Sequence, residues 1–374
     1  MQLLILGREK KLCLAEAEAV FGKAVGISEE AVLISSNEPI DINHIGGSIK
    51  CAQVITEHST NIESDITNYI LKENNGGKIN FGISFYGKGK TYKGTGIKIK
   101  KSLKSKGLSV RYIQPKSGEN LNAASVIYNK LTKGGFEILI VQKDDRNTLL
   151  ARTTGIQDIN EYSKRDYDKP CRDRKVGMLP PKLSQIMINL AGGHKKAIII
   201  DPFCGSGGLL MEASLMGYQA IGSDISQDMI DCSIKNIDWF SSLYKPTAVP
   251  KIEEAEDATK KDYPVKEYFV VTEGYLGDNF VIKPSAITIQ KQIPSLEKLY
   301  IDFLTNLKNQ KTKPSSVVFC MPFWVVDGTT YQLKIIDEIL NLGYTIHEFQ
   351  SVKTSDLRYQ RYGQFTEWQF VVSI

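Results

Sequence analysis

No apolar run in this 374-residue chain is long enough to cross a bilayer, and the apolar part of its opening, MQLLILGREKK, is too short for a secretory signal. A cytoplasmic protein with no membrane partner is the expectation. The six cysteines (Cys13, Cys51, Cys171, Cys204, Cys232 and Cys320) lack CxxC spacing and the four histidines do not cluster. No metal is therefore expected, no disulfide framework is suggested, and the cysteines read as buried free thiols. One absence is local. Between Glu73 and Glu119 there is no acidic residue, while Lys78, Lys88, Lys90, Lys93, Lys98, Lys100, Lys101, Lys104, Lys106, Arg111 and Lys116 all fall there. In a chain whose net charge is only +5, such a block points to a polyanion; the competing reading is a solvated helix face.

The length suits two or three domains, and 42% hydrophobic with 24% charged residues is ordinary globular material. Apolar patterning gives strands at 2–7, 31–36 and 48–55 around a helix at 14–22. A second α/β series follows, with strands at 79–87, 109–115, 137–142 and 148–154 and helices at 95–107 and 122–135. Residues 158–181 are polar, carry Pro170 and Pro180-Pro181, and read as a connector. Beyond it, buried runs at 197–200, 220–225, 268–272 and 315–323 alternate with helices, among them 228–240 and 331–343, and two strands near 345–352 and 367–374 close the chain. This pattern predicts a mostly parallel, doubly wound sheet.

The strongest chemical signal is AIIIDPFCGSGG, in which a buried strand ends at Asp201 and a loop of Gly205, Ser206, Gly207 and Gly208 opens a helix. Glycines admit close backbone approach, and a helix amino end offers unpaired N–H groups to an anion. A dinucleotide loop would need glycine where this chain has Leu210. Asp201 instead suits an ammonium group while the loop receives a carboxylate, and S-adenosylmethionine carries both. Asp224, in GSDIS, ends the next strand where a carboxylate takes ribose hydroxyls; Asp257, in EAEDAT, is a candidate acceptor for the adenine amine. Phe203 completes the cofactor set. For Asp224 and Asp257, helix or turn capping is the alternative.

These residues resemble S-adenosylmethionine-dependent methyltransferases with a Rossmann-like seven-stranded sheet. More narrowly, DPFCGSG, RDRKVGMLPPKLSQIMINLAG and LILGREKKLCLAEAEAVFG are similar to the THUMP-containing tRNA guanosine-N2 methyltransferases of archaea and eukaryotes. The resemblance implies an α/β protein with a ferredoxin-like amino-terminal domain (1–60), a THUMP RNA-binding domain (61–157), a linker (158–181) and a Rossmann-like class I methyltransferase domain (182–374). It also implies tRNA as partner, bound through Lys88, Lys90, Lys93, Lys98, Lys100, Lys101, Lys104 and Arg111. Some members of the family act with a small activating protein.

In that fold the fourth strand ends beside the transferable methyl, which places VTEGYLG (271–277) at the acceptor. The family carries an Asp-Pro-Pro-Tyr type of motif there, so Glu273, Gly274 and Tyr275 are the expected catalytic residues. Glu273 would accept from the exocyclic amine, the Gly274 carbonyl would accept its second N–H, and Tyr275 would stack on the base. The register is open between Glu273 and Thr272 as the counterpart of the aspartate. Pro322, Phe323 and Trp324 are candidates for a base pocket or for core, and Arg358 and Arg361 for phosphate contact or plain exposure. The expected activity is methyl transfer to the exocyclic amine of a guanosine in tRNA. The alternatives are an amino-methyltransferase acting on adenine in RNA or DNA, and an inactive tRNA-binding member of the family.

Overall fold

A computed structural model of the chain describes residues 1–373 apart from 88–91, 93, 145–146, 173–177, 193–196, 264, 281 and 362–363. They form two compact units, Met1–Ile159 and Asn160–Ile374.

The first unit has strands β1 (Gln2–Leu6), β2 (Ala24–Ser28), β3 (Ala31–Ile34), β4 (Ser48–Thr56), β5 (Ile79–Tyr86), β6 (Val110–Ile113), β7 (Phe136–Gln142) and β8 (Thr148–Ile156). Its helices are α1 (Lys10–Phe21), α2 (Ile62–Glu73), α3 (Thr95–Ser105) and α4 (Ala123–Tyr128). One sheet runs through the whole unit in the order β2-β3-β1-β4-β8-β7-β5-β6. It crosses residue 60 without a break, because β4 pairs with β1 on one side and with β8 on the other. Strand β7, FEILIVQ, is buried at all seven positions, as its near-continuous apolar sequence requires of a strand flanked on both edges. Its one acid, Glu137, lies 2.5 Å from the ammonium of Lys50 on β4 and accepts from the hydroxyls of Ser84 and Thr153. This buried ion pair has hydrogen bonds to its remaining lone pairs, the condition under which such a pair is tolerated. The helix expected over 122–135 stops at Tyr128, and Lys130 and Gly134, both at positive φ, turn the chain back into β7.

The second unit opens with α5 (Ile159–Tyr167), inside the stretch read as a connector. Although polar, the helix buries Tyr162 and Arg165. Helix α6 (Pro181–Leu190) follows, then β9 (Ile198–Asp201), α7 (Gly208–Leu215), β10 (Gln219–Gly222), α8 (Gln227–Tyr244), β11 (Lys251–Ile252) and β12 (Tyr268–Thr272). The chain closes with α9 (Ala286–Asn309), β13 (Val317–Val326), β14 (Thr329–Gln332), α10 (Ile336–Asn341), β15 (Arg358–Tyr359) and β16 (Thr366–Ser373). The sheet order is β11-β10-β9-β12-β13-β16-β15, with β14 paired to β13. The first five are parallel and β16 runs antiparallel to β13, which is the expected Rossmann-like seven-stranded sheet with a hairpin added. The order reverses between β9 and β12, so the crevice for a ligand lies at their carboxyl ends.

Helix α9, which sequence patterning did not show, packs Leu296, Tyr300, Phe303, Leu304 and Leu307 on the sheet as one stripe at helical spacing. Only part of the helix expected over 331–343 forms, as α10, and the strand expected near 345–352 is reduced to one bridge between Ile346 and Ser373. The cysteine expectation needs a correction: Cys171 and Cys232 form a disulfide, while Cys13, Cys51, Cys204 and Cys320 are free and buried. The two partners are 61 positions apart in sequence with Cα atoms 5.4 Å apart, a pairing made by tertiary structure and invisible to local spacing.

Candidate functional site

Strand β9 ends on Asp201, whose side chain is 3% exposed. Burial pushes its carboxyl up to about 7, against hydrogen bonds from the Thr272 side chain and the Phe203 N–H, with Asp224 adding to the rise. The chain then turns through Gly205 and Gly207, both at positive φ, into α7. At Gly207, φ is +79° and a Cβ would come 3.1 Å from the Ser233 hydroxyl, so a side chain would strain the turn and crowd α8. The loop is tied from two sides. Gly205 N–H donates to Asp224 at 2.9 Å, and Ser233 and Asn236 on α8 donate to the carbonyls of Gly205 and Ser206.

Asp201, Phe203, Gly205, Ser206, Asp224, Asp257, Glu273, Gly274 and Tyr275 all line one cavity of about 560 Å³. Gly207, alone of the expected set, stands behind its wall. Asp224 already accepts backbone N–H bonds from Gly205 and Ser226 and keeps further acceptor capacity toward the cavity. Asp257 is more fully engaged. Its Oδ1 accepts from the N–H and hydroxyl of Thr259, and Lys260 lies 3.0 Å from Oδ2; these contacts hold its pKa below the ordinary range. Both acids thus make local capping contacts and also line the cavity.

On the far side of the switch point β12 ends at Thr272, which is fully buried and spends its hydroxyl on Asp201 and the Gly274 N–H. Glu273 is among the residues that line the cavity, and Thr272 is not. The Glu273 Oε1 atom is buried and has no hydrogen-bond partner among the described residues. Burial, and then the neighbouring Asp201, push its carboxyl up to about 8 while Arg361 draws it down. Gly274 has φ +76°, out of reach for the proline found in the family motif, and a Cβ there would stand 2.7 Å from the Tyr300 hydroxyl. Behind the turn stands Tyr300 on α9, whose hydroxyl lies between the carbonyls of Tyr275 and Cys320. The Tyr275 ring is half exposed at the rim.

Sequence reading missed several members of the cavity wall: Lys169, Met178 and Leu179 from the presumed connector, Ile225 and Met229 beside Asp224, and Leu299 from α9. Pro322 and Phe323 line a separate cavity. Trp324 is core, its indole N–H donating to Thr366. Arg358 stacks on Phe323, and Arg361 donates to the Met178 carbonyl.

In the first unit, α3 buries Thr95, Gly96, Ile99 and Leu103 and turns Lys98, Lys101 and Lys104 outward, with Lys100 half-buried. Lys98 pairs with Glu63 at 2.8 Å. Arg111 lines a different recess with Lys116 and the exposed Tyr128. Lys88, Lys90 and Lys93 lie outside the described residues.

A strand order reversing between β9 and β12, with a glycine loop and acids at the strand ends, defines a Rossmann-like fold. Residues 170–265 match the family model described as RMKL-like, methyltransferase domain. Over 113 residues the chain is 35% identical to the tRNA (guanine(10)-N2)-dimethyltransferase of Methanocaldococcus jannaschii, which is 29% of this chain and 32% of that one. The enzyme of the same name from Pyrococcus abyssi is 34% identical over 104 residues, 26% of this chain and 31% of its own. The matched stretch thus spans about a third of these relatives' length. Among solved structures, TrmN from Thermus thermophilus aligns with all of this chain and 98% of its own at 13% identity and a TM-score of 0.48. At that level the likeness adds nothing to the strand order.

Proposed function

We propose that the chain is an S-adenosylmethionine-dependent tRNA methyltransferase acting on the exocyclic N2 amine of a guanosine. One observation carries this: a single cavity joins the acids and glycine loop at the ends of β9 and β10 to Glu273, Gly274 and Tyr275 at the end of β12. The residues fit the cofactor, since a buried carboxyl at Asp201 suits an ammonium, Asp224 suits a ribose, and Glu273 presents a buried oxygen with no partner among the described residues. When bound, the cofactor supplies an electrophilic methyl group. The guanine amine is a weak nucleophile because its lone pair is delocalised into the ring. Glu273 and the Gly274 carbonyl accept its N–H bonds and orient the nitrogen, and Tyr275 stacks on the base. Its proton leaves after attack, so no strong base is required beforehand.

The first unit is read as ferredoxin-like (1–60) and THUMP (61–157) parts sharing one sheet, with the outward lysines of α3 and Arg111 meeting the tRNA backbone in the cytoplasm. The relatives named as tRNA (guanine(10)-N2)-dimethyltransferases support tRNA as the substrate. An activating small protein partner belongs to the same reading. The loss of the family's aspartate and prolines favours a second reading, a tRNA-binding protein without catalysis. Wild type and Glu273→Ala incubated with labelled cofactor and unmodified tRNA transcripts, followed by nucleoside mass spectrometry, separate the two. Methylguanosine formed by wild type and lost in the variant is the expected result. A methyladenine product removes the guanosine assignment, and no product from wild type, alone or with a partner, favours the binding protein.

A further inference from the structure

We propose that Lys169 receives the carboxylate of the cofactor's amino-acid end, an assignment that rests on the cofactor reading above and specifies where the anionic part of that ligand sits. Lys169 is 4% exposed yet lines the cavity wall. Its ammonium lies 3.8 Å from where a Cβ on Gly208, the first residue of α7, would stand. Among the described residues it makes no hydrogen bond or ion pair. The acids that act on it electrostatically are Asp166 and Glu212, and Glu212 is taken up by Arg165 and Gln185.

A buried ammonium beside a helix amino end is an unfavourable arrangement in itself. The positive end of the helix dipole repels it, and burial pulls its pKa below the ordinary lysine range. An anion seated between the two resolves both problems, accepting from the ammonium and from the unpaired N–H groups of the first helical turn. The rest of the wall excludes a general anion site. Lys169 is the only cationic side chain among the described lining residues, whereas Asp201, Asp224, Asp257 and Glu273 are acids. The ligand chemistry that fits is zwitterionic, with one carboxylate toward Lys169 and its cationic groups toward the acids.

Lys169 is also held in place. Two residues on, the Cys171 N–H donates to the Asn236 side-chain oxygen, and the Asn236 amide donates back to the carbonyls of Cys171 and Ser206, each at 2.9 Å. The Cys171–Cys232 disulfide ties the same segment to α8. One clamp thus sets both the lysine and the glycine loop, so little ordering is left for the ligand to bring about.

The test is calorimetry on the full chain with S-adenosylmethionine and with its decarboxylated form, which differ only in the carboxylate. Wild type is expected to prefer the carboxylated ligand. Lys169→Met is expected to weaken S-adenosylmethionine roughly 10- to 100-fold while leaving the decarboxylated ligand unchanged, and Lys169→Arg to recover part of the loss. Unchanged binding of the decarboxylated ligand also shows that the variant is folded. Equal weakening of both ligands, or of neither, overturns the assignment, as does a wild type that binds both alike. A wild type that binds neither removes the cofactor reading, and the role of Lys169 with it.

Discussion

The hydroxyl of Tyr300 lies 3.1 Å from the carbonyl oxygen of Tyr275, 25 positions earlier, and 2.8 Å from that of Cys320. Helix α9, the interior of β13 and the turn after β12 therefore meet at one phenol, and the turn at Glu273 is held from behind. Tyr300→Phe is expected to lower stability by about 1 kcal/mol, the size of one buried hydrogen bond, and to reduce the methyl-transfer rate more than the cofactor affinity. Single-turnover kinetics beside calorimetry separates the two. An equal loss in both would show that Tyr300 supports the whole cavity and not the acceptor turn.

Gly274 sits against that same hydroxyl. At φ +76° a side chain is strained, and Gly274→Ala is expected to lower stability by roughly 1–3 kcal/mol. Part of that comes from the clash with Tyr300, so the substitution is expected to be less damaging in the Tyr300→Phe background. A double-mutant cycle in urea unfolding measures the coupling; additive effects would place the strain in the backbone alone.

Glu273→Ala is expected to reduce methyl transfer roughly 100-fold or more, as loss of a positioned polar group commonly does, with cofactor affinity largely retained. Rate and affinity are measured on the same preparation. A variant that turns over like wild type would take the acceptor role away from Glu273.

The carboxyls of Asp201 and Glu273, pushed up to about 7 and about 8, give a signed pH effect. In the unfolded chain both titrate near 4, so between about pH 4 and 8 the folded state holds more protons. Their contribution to stability is complete below the unfolded value and is lost as pH rises through 7 and 8. The ligand-free protein is expected to melt at progressively lower temperature across that range, and Asp201→Asn or Glu273→Gln to flatten the profile. Scanning calorimetry from pH 5 to pH 9 checks the slope, and a profile rising with pH would contradict the burial of these groups.

Reduction of the Cys171–Cys232 bond is expected to lower stability by roughly 2–4 kcal/mol. Urea midpoints with and without reductant measure it, and a Cys171→Ser, Cys232→Ser double variant should match the reduced wild type. Identical midpoints in all three would show that the Asn236 clamp holds the segment unaided.

The glycine-loop part of the second unit was legible because its signals are local: an apolar strand, an acid, and glycines opening a helix within a dozen residues. What stayed hidden depends on distance. Helix α5 looks polar until Arg165 is seen buried against Glu212, 47 positions away. Helix α9 carries Pro294 in its interior, a residue that in sequence argues for a break. Lys169 is an ordinary lysine before a proline, and only folding shows it walled in without a partner among the described residues. Phe323 and Trp324 read in sequence as base pocket or core alike, because aromatic residues at a strand end look the same whether they face a ligand or the core.

Strand β4 is interior to its sheet, with β1 on one edge and β8 on the other, and its Lys50 is locked onto Glu137 of β7. Cutting the chain at residue 60 would bare the paired edge of β8 and leave a buried carboxylate without its cation, a loss on the order of 3–5 kcal/mol. The first 159 residues are in this sense indivisible: a fragment ending at residue 60, or one beginning there, would be sticky and unstable, and the first unit can be lifted out of this protein only whole.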